Sequence, residues 1–289
     1  ICTFYTSRDH AISSVLLAAT KLARRLPRFS QLFEVHKLKW KELWYPFDLS
    51  MTCMPAENMA LRLHVFHLLQ TACHNTIGID TSVPARGLHG EAYRGHIFWD
   101  ELFIFPFFYL RMPELSRSLL MYRYRRLEEA KHLASEQGFE GAMFPWQSGS
   151  DGSEEGQSLH LNPKSGNWVA DNTSLQRHIN GAIVYNIVKY YEATDDHEFM
   201  HYYGIEMIFE ICKFWVSAAK LSSSSKRYEL CQIVGPDKFH TKYPGSDCPG
   251  LHNNAYTNFL ASWSLKKALS FFQAQSETKQ DELLEELEL

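Results

Sequence analysis

Residues Trp99–Met112 (WDELFIFPFFYLRM) constrain the fold of this chain more than any other segment. The run is apolar almost all the way round a helix, so other elements are expected to cover it. It falls short of the ~20 apolar residues needed to cross a membrane. It therefore reads as a buried inner helix, which Pro106 is expected to kink or offset. Segments suited to cover it recur along the chain. Apolar positions return at helical spacing over 8–26, 29–44, 55–76, 114–137, 174–193, 195–221 and 253–275. Pro55 stands where a helix would start. Loops rich in Gly, Ser, Asn and Pro separate these segments at 78–95, 138–173 and 235–252. No alternating strand series is evident, and Ser222–Ser225 reads as an exposed, flexible connection. Helices joined by long loops predict an all-α toroid with a ligand at one mouth.

A chain of 289 residues is long enough to bury a large core. Its net charge of −4, without a long basic run, argues against nucleic acid or an anionic membrane as partner. The cysteines at 2, 53, 73, 212, 231 and 248 form no CxxC pair. They read as free, mostly buried thiols in a reducing, cytoplasmic setting.

The chemistry concentrates in the loops. Pro84–Asp100 carries glycines at 87, 90 and 95, which let the backbone turn tightly and approach a ligand. Arg86, Arg94, His96, Trp99 and Asp100 add donors, an acceptor and a flat apolar face. A sugar needs that mixture: rings cover its C–H faces while polar groups read its hydroxyls. In FPWQSGSDGSE (144–154), Trp146 offers a stacking face, and Gln147 and Asp151 offer hydroxyl contacts. Gln176, His178 and Asn180 open a helix, where they can face a barrel mouth or cap the helix. A buried, internally satisfied loop and a capped turn are the structural alternatives for the first two segments.

Metal readings are weaker. His197-Glu-Phe-Met-His201 is a literal HExxH, and Gly204 extends the match, but Met207 stands where a third histidine ligand is required. Thr194-Asp-Asp196 before it reads as a helix cap with acidic first-turn residues, which makes His197 and Glu198 ordinary. His64, His67 and His74 share a helix face without completing a tetrahedral set. Asp151–Glu155 lacks the EF-hand pattern. No metal and no organic cofactor are expected.

Four ordered segments resemble glycoside hydrolase family 65: ARGLHGEAYRGHIFWDELFIFPFF (85–108), FPWQSGSDGSE, LQRHINGAIVYNI (175–187) and VGPDKFHTKYPGSDCPGLHNNAYTN (234–258). The resemblance implies an (α/α)6 barrel, incomplete at its C-terminal end. Residues 1–289 would be a partial catalytic domain, flanked in family members by a β-sandwich before it and further catalytic domain after it. The start at Ile1 and the uncapped helical pattern of Asp281–Leu289 agree with that expectation. The implied chemistry is inverting cleavage of glucose-containing α-disaccharides, with water or inorganic phosphate as nucleophile. Trp99 and Asp100 would grip the non-reducing glucose, supported by Arg94, His96, Trp146, Gln176 and His178. Asn254, with Asn253 and Tyr256, would hold the preceding loop against the pocket. The expected partner is a small carbohydrate, and the expected assembly a homodimer.

One position departs from the family pattern. Where Gly-Pro-Asp-Glu supplies the general acid, this chain has Gly235-Pro-Asp-Lys238. A lysine with a pKa near ~10.4 holds its proton too tightly to act as that acid. It also places positive charge beside an oxocarbenium-like transition state. The expectation is doubtful catalysis, with a sugar-binding but inactive homologue, or a zinc peptidase built on His197, Glu198 and His201, as the alternatives to an active family member. The insertion Lys242–Gly250 resembles kojibiose-type hydrolases more than phosphorylases, for which phosphate would be the co-substrate.

Overall fold

The computed structural model describes residues 2–5, 14–52, 54–90, 92–236 and 240–287. These form two compact units, Ile1–Thr81 with Gly87–Gly90, and Ser82–Arg86 with Glu91–Leu289. The first unit contains α1 (Val15–Arg25), α2 (Phe29–Trp44) and α3 (Pro55–Thr71). Ser14 caps α1, its hydroxyl accepting from Leu17 N at 3.4 Å, and Pro55 opens α3 as its sequence position predicts. Helix α3 ends five residues before the predicted boundary of 76, because His74–Thr76 form a separate 3-10 turn. Trp40 meets Phe66 at 5.0 Å between centroids, and the Arg62 guanidinium lies 4.9 Å from the Trp44 ring. Asp48 accepts from both Arg62 and Trp44 Nε1, tying the two helices together.

The second unit holds α4 (Glu101–Tyr109), α5 (Pro113–Tyr124), α6 (Leu127–Glu136), α7 (Ile179–Thr194), α8 (His197–Phe199), α9 (Ile205–Ala218), α10 (Ala255–Gln273) and α11 (Glu277–Glu286). Helix α7 packs against α4, α5, α9 and α10, and Val184, Ile187 and Val188 along it are fully buried. Helix α4 keeps Pro106 in its interior. Phe105 and Phe108 are fully buried, whereas Phe103 and Leu110 are 68% and 67% exposed. The run expected to be covered all round is thus buried on one side only. Its exposed residues are seven apart and lie on one stripe.

Other boundaries differ for local reasons. The stretch 114–137 breaks at Arg125 and Arg126 into two helices. The stretch 195–221 begins after Asp195, which ends α7 in the left-handed conformation (φ 54°). It passes through α8 and a π turn at Met200–Gly204 before α9. Two short antiparallel hairpins occur where no strand was expected, the first in the loop 138–173 and the second starting at the end of the stretch 195–221 read as helix. Strand β1 (Leu159–Leu161) pairs with β2 (Trp168–Ala170), and β3 (Lys220–Leu221) with β4 (Tyr228–Glu229). Strands of two or three residues are too short for alternation to register in sequence. Ser222–Ser225 lies in the β3–β4 turn. The thiols also differ from expectation: among the described cysteines only Cys212 is buried, while Cys2 and Cys248 are exposed. No described helix is long and apolar enough to cross a membrane.

The connection from α6 into the site loop depends on Gly141. Its φ is +68°, and a Cβ there would run into the Glu210 carbonyl oxygen and come within 2.6 Å of Phe214 N. The close approach lets Ala142 N donate to Glu210 O at 2.8 Å. Replacing Gly141 with alanine is expected to destabilise the second unit by about 2–3 kcal/mol, from backbone strain plus overpacking. A fall in its thermal midpoint checks this, with Gly138→Ala as the control: it shares the positive φ but has open space around its Cβ.

Candidate functional site

Four segments of the second unit converge. Residues 96–101 and 146–150 are joined by a two-way bridge, Ile97 N to Ser148 O at 3.1 Å and Ser148 N to Ile97 O at 2.9 Å. The α7 N-terminus brings Gln176 and His178, and the α10 N-terminus brings Tyr256. Asn180 fixes the approach to Trp146, its Oδ1 accepting from Phe144 N at 2.7 Å. Glu154 folds the rest of that loop, accepting from the main-chain N–H of Trp146, Gln147 and Gly156 at 2.6, 3.1 and 2.8 Å.

The result is a cluster of rings. His178 lies 5.6 Å from Trp99, 5.0 Å from Trp146 and 5.3 Å from Tyr256, centroid to centroid. Trp99 and Trp146 are 5.8 Å apart, and Phe98 backs Trp146 at 5.2 Å. Trp146 and His178 are buried; Trp99 and Asp100 keep part of their surface open. Burial lowers the His178 pKa to about 4, so the ring is neutral at physiological pH. Burial is also the main cause that raises Asp100 above the usual carboxylate range. Glu101 adds to the rise, while the Asp100 main-chain N–H and Arg86 oppose it. Asp100 Oδ2, Gln176 Oε1 and both ring nitrogens of His178 are buried without a hydrogen-bond partner. Such atoms are rare in folded proteins, and each costs about 1–3 kcal/mol when left unmatched. Their concentration beside two indoles leaves polar atoms that the hydroxyls of a ligand could match.

The remaining predicted residues fall round this cluster. His96 Nδ1 is 3.2 Å from Gln147 Oε1, its Nε2 is 4.0 Å from Glu155, and Arg94 donates to Glu155 O at 2.9 Å. Both therefore brace the 144–156 loop from the 94–96 side. Gln176 Nε2 donates to Gly235 O at 3.1 Å, and Val234 N donates to Leu175 O at 2.9 Å. Asn254 Oδ1 accepts from Thr257 N at 3.1 Å, capping α10, and its side chain lies against Gly235. Asp151 stands apart, exposed and held in its own turn by Ser153. Lys238, expected at the general-acid position, lies outside the described residues. Sequence reasoning missed Glu154 and the pair Glu101–Arg123, whose signal was a second acid beside Asp100 at the head of an apolar run.

The HExxH residues are occupied otherwise. Glu198 accepts from Arg117 at 2.7 Å. His197 meets Tyr191 OH at 2.9 Å and Asp195 at 3.3 Å, and His201 packs on Tyr202. The π turn begins between the two histidines and alters their helical spacing. His67 stacks on His89 at 3.8 Å. Among the described residues no three His, Cys, Asp or Glu side chains are grouped to hold a metal. Two clefts are lined by other residues. One, of about 510 Å³, lies beside Trp40 and Trp44, and one, of about 360 Å³, between Trp215 and α10. Neither contains a residue of the ring cluster.

Comparison with known proteins shows the family of the chain. Residues 62–289 match the model of the glycosyl hydrolase family 65 central catalytic domain. An uncharacterized glycosyl hydrolase of Mycobacterium tuberculosis strain H37Rv is 44% identical over 289 residues, all of this chain and 22% of that protein. The trehalose 6-phosphate phosphorylase of Lactococcus lactis is 40% identical over 238 residues, 82% of this chain and 31% of the relative. A solved structure provisionally named a kojibiose phosphorylase, from the human microbiome, superposes with a TM-score of 0.59 at 26% identity, covering 90% of this chain and 34% of the other. The chain thus spans between about a fifth and a third of the length of these proteins.

The buried imidazole sets an acid limit. Folded His178 stays unprotonated down to about pH 4, whereas the unfolded side chain takes its proton near 6.5. Its contribution is complete above pH 6.5 and is lost as pH falls from there to about 4, by up to about 3 kcal/mol. Denaturant unfolding across that range is expected to show the loss. His178→Phe, which cannot titrate, is expected to flatten that part of the profile.

Proposed function

Because this chain belongs to glycosyl hydrolase family 65, we propose that the ring cluster is the glucose-gripping wall of a site for glucose-containing α-disaccharides, and that Lys238 leaves it without a general acid. The observation that carries the reading is the group of unpartnered buried atoms on Asp100, Gln176 and His178 next to Trp99 and Trp146. A pyranose stacked on the open part of Trp99 would place hydroxyls toward Asp100, whose carboxylate accepts them. Trp146 and Tyr256 would hold the neutral His178 in place behind.

Inverting cleavage would proceed by protonation of the glycosidic oxygen while a nucleophile attacks the anomeric carbon from the opposite face. The C–O bond electrons leave with that oxygen, which takes the acid's proton. The ring cluster would supply orientation, and position 238 would supply the proton if it carried a carboxylic acid. Lysine there withholds it. Relatives named as phosphorylases favour phosphate as the nucleophile over water. That support spans 82% of the chain in one relative, whereas the case for hydrolysis rests on the length of one loop, Lys242–Gly250.

The test uses the intact polypeptide with kojibiose, maltose, nigerose, trehalose and trehalose 6-phosphate, with and without phosphate. Calorimetry is expected to detect binding of at least one sugar, weakened about tenfold or more by Asp100→Asn. Sugar release is expected to be absent until Lys238→Glu restores it, by at least ~100-fold over background. Turnover by the unaltered protein would overturn the role given to Lys238. Absence of binding to every sugar would overturn the site itself.

A further inference from the structure

Directly behind Trp99 and Asp100 lies an ion pair that no ligand contact requires. Arg123, on the last turn of α5, donates from Nε and Nη2 to Glu101 Oε2 at 3.1 and 2.8 Å. Its Nη2 also reaches Phe98 O at 3.4 Å. Ser82 donates to the other carboxylate oxygen of Glu101. The two charged side chains are 1% and 2% exposed. The last turn of α5 and the break that follows it serve both loops of the ring cluster. Tyr122 OH lies 2.8 Å from Ser148 Oγ and 2.5 Å from Gly149 O, and Arg126 Nε donates to Ser150 O at 3.2 Å.

A buried ion pair contributes little net stability, because removing two charges from water offsets most of their attraction. An apolar pair of similar volume often holds a fold as well. What an apolar pair lacks is direction: a rigid guanidinium fork fixes the orientation of the carboxylate it grips. Glu101 is adjacent in sequence to Asp100, and Phe98 to Trp99. The grip therefore fixes the main chain on both sides of the two residues that would meet a sugar.

We propose that Arg123 and Glu101 are positioning residues of the sugar site, a clamp that holds Trp99 and Asp100 in register with Trp146 and His178. The proposal rests on the sugar-site reading above. It is separable from the role of Lys238, because it concerns binding and loop order rather than bond cleavage.

The test compares the intact protein with the double variant Glu101→Leu/Arg123→Met and with Arg123→Lys, which keeps the charge and loses the fork. Three quantities are read: thermal midpoint, hydrogen exchange of the peptides spanning 97–103 and 144–152, and affinity for the best-bound disaccharide. The expected result for the double variant is a midpoint close to the parent's, exchange of both peptides faster by at least ~10-fold, and affinity lower by at least ~10-fold. Arg123→Lys is expected to move exchange and affinity the same way by a smaller factor, and it decides the matter if the double variant does not fold. Parent-like exchange in these peptides, or parent-like affinity despite faster exchange, overturns the proposal. If the parent binds none of the sugars, the sugar-site reading fails, and the clamp is then judged on loop exchange alone.

Discussion

The close contact of α7 with α10 is the constraint on which the rest of the second unit depends. Gly181 stands where a Cβ would lie only 2.6 Å from Leu260 Cβ, so the Leu260 side chain of α10 packs directly on the main chain of α7. One turn before Leu260 is Tyr256, and just before Gly181 is His178. The approach of the backbones therefore brings these two rings to 5.3 Å. The same α7 turn carries Asn180, which aligns the segment leading to Trp146. A larger residue at 181 would separate the helices and open the cluster from beneath, without touching any group that meets a ligand.

Periodicity revealed most of the helices, because their apolar faces recur at 3.6 residues over three turns or more. Helix α2 ran over 29–44 as predicted, and Pro55 marked the start of α3. The breaks were less visible. Arg125–Arg126 and Met200–Gly204 interrupt helices without proline: Arg126 turns to bond Ser150 O, and the π turn joins α8 to α9. Helix α4 was misread in the other direction, since an apolar sequence does not reveal which of its faces remains uncovered. In the site, Trp99, Asp100, Trp146 and His178 were legible through their motifs. Glu154 and Arg123 were not, because their roles consist of bonds to main chain and side chains distant in sequence, which leave no periodic trace.

The electrostatics of the site follow from dryness more than from charge. Burial is the leading cause for His178, Asp100 and Glu154 alike, holding the first neutral and raising both carboxyls. Glu154 rises even though three main-chain N–H groups favour its ionised form. Burial likewise pushes Arg177 down to about 10, against the pull of Glu154. In such surroundings a hydrogen bond to a hydroxyl is worth more than it would be in water, and an unmatched atom costs more.

The side-chain amide of Gln176 has a consequence beyond its own bonds. Its nitrogen holds the carbonyl of Gly235, while its oxygen has no partner. The two atoms belong to one rigid plane, so they cannot move independently. A group that engages the oxygen must therefore meet it in the orientation that the bond to Gly235 already sets, so the amide presents one fixed acceptor direction rather than a free one.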